Sequence, residues 1–210
     1  MPPVIQPIPR FIADASQEAL PYGRWAEVLS EHFRAACKKI DELPADAAEP
    51  VEIDWFPERG WGGRFYVPAL ARAKRGEAEI EYFGQVSFRR SDGEEPTDFA
   101  ASADFTDVLA EDNPGWKIDV NDDVIGSWRG EVDRSGEVVL VWGRPLVQGA
   151  DAATAELDGS AADQTPVMDG RFTLIAVDAV DGFGDKLYLE IHLWNKRNQL
   201  LAAESLYDAE

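Results

Sequence analysis

The chain has 210 residues, 45% of them hydrophobic, and sets 40 acidic side chains against 20 basic ones for a formal charge of −20 at neutral pH. A chain of that size buries a core without cross-links, and the single Cys37 excludes an internal disulfide. The charge excludes general nucleic-acid binding, which depends on cationic contacts to phosphate, and no apolar run approaches the roughly 18 residues of a membrane span.

Residues 1–10 carry four prolines, so 1–21 reads as an extended arm ahead of one α+β domain over 22–210. With no leader pattern at the start, the expected compartment is the cytoplasm. Trp25, Val28, Leu29, His32, Phe33, Ala36, Ile40 and Leu43 recur at three- and four-residue spacing, which predicts an amphipathic helix over 22–43, ended by Pro44. Its apolar stripe requires a sheet or another subunit to cover it. His32 lies within that stripe and is expected to be structural.

After residue 50 the pattern is mostly that of strands, expected at 51–56, 64–68, 78–88, 116–120, 124–132, 137–144, 171–180, 186–194 and 199–206. Turns rich in Asp, Asn and Gly at 133–136, 181–185 and 195–198 join neighbouring strands by short links, so the sheets are expected to be antiparallel. Two interruptions break the series, 91–98 and 148–170. The second is rich in Ala, Asp, Gly and Ser and is expected to be a long mobile loop. The fold class expected is α+β, predominantly β: an N-terminal helix packed on antiparallel sheets, as a sandwich or a curved half-barrel.

Charge is distributed unevenly. Residues 59–90 hold seven basic and three acidic groups, residues 1–58 five and eleven, and residues 91–210 eight and twenty-six. Inside the one basic stretch lies Arg59-Gly60-Trp61-Gly62-Gly63-Arg64. Glycine weakens both helix and strand, so this segment reads as a loop with a purpose. Arg59 and Arg64 can grip a carboxylate or phosphate, and Trp61 offers a stacking face. The competing reading is structural, with the arginines paired to the chain's own acids and Trp61 plugging the core edge.

A second candidate comes from 187–194, where period two puts Leu187, Leu189, Ile191 and Leu193 on one face and Tyr188, Glu190, His192 and Trp194 on the other. The leucine face is core. The aromatic face is a ligand-binding floor, a subunit interface or an ordinary outer surface.

No catalytic residue can be named. Only His32 and His192 are available, no nucleophile elbow is present, and Cys37 lies on the predicted helix. Asp119-Val120-Asn121-Asp122-Asp123 resembles the start of a calcium loop, but Val124 stands where that loop needs Gly, so the segment is expected to be a solvated turn. No metal site and no cofactor are expected.

Gly126-Ser127-Trp128-Arg129-Gly130-Glu131 resembles the Gly-x-Trp opening strand of calycin barrels, with too few strands after it to close a barrel. Gly184-Asp185-Lys186 is similar to the entry of the last hairpin in hot-dog thioesterase-like folds, in which a long helix is wrapped by a sheet. That resemblance implies an acyl-thioester or small-molecule enzyme but supplies no catalytic residue. The leading expectation is a cytosolic, non-catalytic binding or assembly protein, acting through Arg59, Trp61 and Arg64 or through Tyr188, Glu190, His192 and Trp194. Its partner is then a second copy or another protein, with a small anionic ligand as a further class. A third expectation is an acidic inhibitor, immunity-like, that masks a basic partner.

Overall fold

A computed structural model describes residues 14–15, 20–130, 133–183 and 185–206. Most of the proline-rich arm lies outside the described residues. Strands dominate, and the one α-helix packs on antiparallel sheets that do not close into a barrel.

The helix α1 (Gly23–Cys37) is shorter than its sequence pattern. Beyond Cys37 the chain tightens into i to i+3 bonds, Lys39 N–H to Ala36 O and Ile40 N–H to Cys37 O. Ile40 and Leu43 nevertheless pack on the same core as the helix. Leu29, Phe33 and Cys37 are buried against Val67, Ala69 and Ala71 of one strand and Ile80, Tyr82, Val86 and Phe88 of the next. His32 stacks flat on Phe99, with ring centroids 4.5 Å apart.

The sheet beneath the helix, sheet I, has the order β1 (Asp14–Ala15), β3 (Arg59–Trp61), β4 (Arg64–Arg75), β5 (Ala78–Arg89), β6 (Thr97–Thr106), with β2 (Asp54–Trp55) also paired to β4. The glycine-rich segment at its centre is not the expected loop but a tight hairpin. Trp61 pairs with Arg64, and Gly62 and Gly63 at φ 61° and 76° supply the two positive-φ positions of a type I′ turn. β6 has no counterpart among the strands expected from sequence. Its Phe99, Ala101, Ala103 and Phe105 alternate toward the helix core, and the small alanines hide that period.

Sheet II has the order β12 (Asp185–Leu187), β11 (Phe172–Phe183), β8 (Ser135–Pro145), β7 (Ile118–Arg129). It is the middle layer, and residues 138–142 of β8 and 172–177 of β11 are buried on both faces, so they read as continuous apolar runs, not as alternation. The segment from Asp119 to Asp123 is not a turn. It runs through the interior of β7, opposite Arg144, Gly143, Trp142, Val141 and Leu140, because β8 offers an unbroken partner.

Sheet III, on the far side, has the order β10 (Ser160–Pro166), β9 (Ala152–Leu157), β13 (Leu189–Trp194), β14 (Leu200–Ser205). β9 and β10 occupy the segment expected to be a long loop. Asp158 and Gly159, at φ 47° and 66°, turn the chain between Leu157 and Ser160. Ala153, Ala155, Leu157 and Ala162 face inward and are buried; alanines suffice because the inner layer is already dense. The expected single strand over 186–194 divides at Tyr188: β12 pairs with β11 in sheet II, while β13 pairs with β9 and β14 in sheet III. Leu189 N–H donates to buried Asp178 Oδ1 at 2.8 Å just after the switch.

Arg59 of β3 and Asp163 of β10 form an ion pair at 2.5 Å with side chains only 2% and 7% exposed. The same Asp163 oxygen accepts the Ile175 N–H of β11 at 2.8 Å, so one carboxylate touches all three sheets. Burial raises its carboxyl above the usual range, opposed by the guanidinium and the backbone N–H groups of Ile175 and Gln164. Asp163→Asn leaves a buried guanidinium uncompensated and is expected to cost about 3–5 kcal/mol, read as a lower urea midpoint. Arg64→Gln, whose partner Asp98 is largely exposed, is expected to cost no more than about 1 kcal/mol. Limited proteolysis of the native protein is expected to spare 152–166; first cleavage there would show that the β9–β10 hairpin opens independently of the layers beneath it.

Candidate functional site

The residues singled out in the glycine-rich hairpin face inward more than outward. Arg59 is spent on Asp163. Arg64 donates to the Asp98 side chain and main-chain oxygen, both at 2.5 Å, and to Ser87 Oγ at 3.3 Å. Trp61 packs against the core, and a Cβ on Gly126 would fall 2.5 Å from its ring, so β7 admits the indole only because that residue is Gly.

The C-terminal candidates divide. Tyr188 lies at the sheet switch, 46% exposed. Glu190, His192 and Trp194 lie on the outer face of β13, across from Glu156, Thr154 and Ala152 of β9. There Trp194 Nε1 donates to Thr154 Oγ1 at 2.8 Å, and Thr154 Oγ1 donates to Glu156 Oε1 at 2.9 Å. The His192 ring sits between two carboxylates, Nδ1 at 3.3 Å from Glu156 and Nε2 at 3.0 Å from Glu190. A neutral imidazole can donate to only one of them, an imidazolium to both. Beside this chain of groups runs an open groove of about 530 Å³, floored by Ala152 and Thr154 and edged by Asp151, Pro166, Trp194 and Asn198. Thr154 and Glu156 had no signal in the sequence, since β9 was expected to be loop.

A second constellation lies between sheets I and II. Arg72 and Glu81 are cross-strand partners in β4 and β5, and Asp119 and Arg144 are cross-strand partners in β7 and β8. Each pair could close on itself, but the arginines are drawn elsewhere. Arg72 holds Glu111 by two bonds of 2.6 and 2.7 Å and reaches Glu81 only at 3.5 Å. Arg144 holds Asp54 at 2.6 Å, beside Arg171, which bonds the same carboxylate at 2.8 Å. Glu81 and Asp119 are left 6% and 7% exposed. Burial pushes the Glu81 carboxyl up, and the nearby Asp119 pushes it further; burial likewise raises Asp119. A cleft of about 390 Å³ opens here, lined by Asp54, Leu70, Arg72, Glu81 and Arg144. The sequence places Glu81 on the polar face of a half-buried strand. That this face is covered by a second sheet is information that no local pattern carries.

Nucleophilic chemistry finds little support. Burial pushes the Cys37 thiol up to about 12, which leaves it inert as a nucleophile. Among the described residues, no group of three or more His, Cys, Asp or Glu side chains is placed to hold a metal ion, and no helix is long and apolar enough to cross a membrane.

Raised carboxyls make a signed prediction. A folded-state value above the unfolded one means that the folded protein gains protons, so the ionised group costs stability at neutral pH and the cost fades as pH falls through the folded value toward the ordinary carboxylate range. Asp119→Asn is therefore expected to stabilise the protein at neutral pH, on the order of 1 kcal/mol. Thermal unfolding across pH should show that gain shrinking on acidification.

Comparison with models of known protein families, with curated proteins and with solved structures finds no match to this chain.

Proposed function

We propose that this is a non-catalytic binding protein that takes a basic segment of another protein on the outer face of sheet III. The observation that carries the reading is the row Trp194, Thr154, Glu156, hydrogen-bonded in that order and lining an open groove, with His192 beside it, 3.3 Å from Glu156 and 3.0 Å from Glu190. Its inner side rests on a packed layer, so these groups are held in place before any partner arrives, which lowers the ordering cost of binding. The indole supplies a flat apolar wall and a cation–π surface for a guanidinium. Asp151, Glu156 and Glu190 supply acceptors, and the net charge of −20 steers a cationic partner toward them.

The groove lacks an activated nucleophile, so recognition fits it better than turnover. The hot-dog enzyme alternative gains no specific observation, because α1 lies on one face of sheet I and is not enclosed by it.

The test is selection from a random peptide display library against the immobilised full chain. Peptides rich in Arg and Lys are expected to be enriched, with affinity falling as salt rises. Trp194→Ala is expected to weaken the selected peptide by about 2 kcal/mol while the urea midpoint changes little. No basic enrichment, or enrichment indifferent to Trp194→Ala, would remove this site. A concentration-dependent dimer in light scattering that masks Trp194 fluorescence quenching would make a second copy of the chain the occupant.

A further inference from the structure

β1 brings the chain into sheet I beside β10 of sheet III. Its Ala15 lies opposite Arg59, and the Arg59 side chain reaches Asp163 of β10. The next residue of β10, Gln164, lines the outer groove together with Thr165 and Pro166. The segment that precedes Asp14 therefore joins sheet I at the edge from which the groove extends. Residues 1–13 lie outside the described residues, and at the ~3.1 Å per residue of a polyproline helix they span about 40 Å. Crossing the four strands of sheet III takes three strand spacings, about 14 Å, so the segment is long enough to reach and cover that face.

Its chemistry suits the groove. Pro2, Pro3, Pro7 and Pro9 lack the N–H that a sheet ladder requires, and proline-rich chains dock instead on aromatic and apolar walls. Trp194, Pro166 and Ala152 supply such walls. Val4, Ile5, Ile8, Phe11 and Ile12 add apolar side chains that gain by leaving water. Arg10 is the one charged residue of the thirteen, whereas the charged residues lining the groove are acids, Asp151 and Glu156. Glu156 lies across from Ala161 of β10, on the strand next to the edge, and so within reach of a side chain four residues ahead of Asp14.

We infer that residues 1–13 fold back over β10 and occupy the groove of their own chain, with Arg10 on Glu156 and the prolines against Trp194 and Pro166. This placement rests on the groove read above as a surface for a basic segment, and it makes the arm a tethered competitor of any outside partner. A short tether holds its end at an effective concentration on the order of millimolar. An outside segment must displace the arm to bind.

The experiment places a nitroxide at position 6 of the full chain through Gln6→Cys, with Cys37 protected from labelling by its burial, and reads NMR line broadening. Strong broadening at residues 152, 154 and 164 and at the Trp194 indole is the expected result, while α1, which covers sheet I, keeps sharp signals. Arg10→Glu should lower that broadening several-fold. A mixture of nitroxide-bearing chain with isotope-labelled chain free of nitroxide should show none. Broadening absent from the groove, spread evenly over all outer faces or indifferent to Arg10→Glu overturns the inference. Broadening seen only in the mixture also overturns it, because a second copy then supplies the arm. Hexa-arginine peptide separates this outcome from the wider reading of the groove. Relief of the broadening on its addition supports both. Broadening that persists leaves the arm in place and removes the outside basic partner; hexa-arginine shifts at Trp194 with no broadening from the nitroxide remove the arm and keep the partner.

Discussion

One carboxylate holds the layers in register. Asp163 belongs to sheet III, takes its ion pair from Arg59 in sheet I and caps the Ile175 N–H in sheet II. Removing two charges from water costs several kcal/mol each, so such a pair is tolerated only where extra hydrogen bonds share the charge; Gln164 N–H provides a further one. Arg59 anchors the start of β3, and with it the glycine hairpin that places Trp61 against Gly126 of sheet II. Around that point the helix covers sheet I, sheet I and sheet III cover sheet II, and the outer face of sheet III keeps a groove with the Trp194 indole in its wall.

The basic stretch takes on a different meaning in three dimensions. All seven cations between 59 and 90 form ion pairs with carboxylates of the same chain. Asp46, Glu58, Asp98, Glu111 and Asp163 reach them from outside the stretch. Local positive charge in a strongly acidic protein thus organises internal contacts, and the surplus of acids remains at the periphery. Where the pairing is incomplete, at Glu81 and Asp119, the geometry of two sheets has forced a mismatch that local rules of strand pairing would have avoided.

Much of the architecture was legible. The helix stripe and the inward leucines of β13 follow from periods of 3.6 and 2, and the antiparallel pairing follows from the short turns. The errors have distinct physical causes. β9 and β10 went unread because alanine carries little periodic signal, although Asp158-Gly159 is a strong hairpin turn. β7 was split because its aspartates look like turn residues, and only the apolar partner β8 makes them a strand. The division of 186–194 at Tyr188 depends on which sheet each half meets, which is tertiary information. For the candidate groups, Glu190, His192 and Trp194 were readable from alternation alone, whereas their partners Thr154 and Glu156 and the facing Glu81 and Asp119 required sheets to be stacked before they could be found.

β6 and β7 close sheets I and II, each as a long terminal strand. Unpaired strand edges invite addition of a strand from a neighbouring molecule. Here Asp104 of β6 and Asp122 and Asp123 of β7 would be brought against the same charges of any copy that docked in register, and repulsion between them opposes such growth. The acidity of this chain thereby acts as a guard against fibrous self-assembly, and the guard is strongest while those side chains stay ionised.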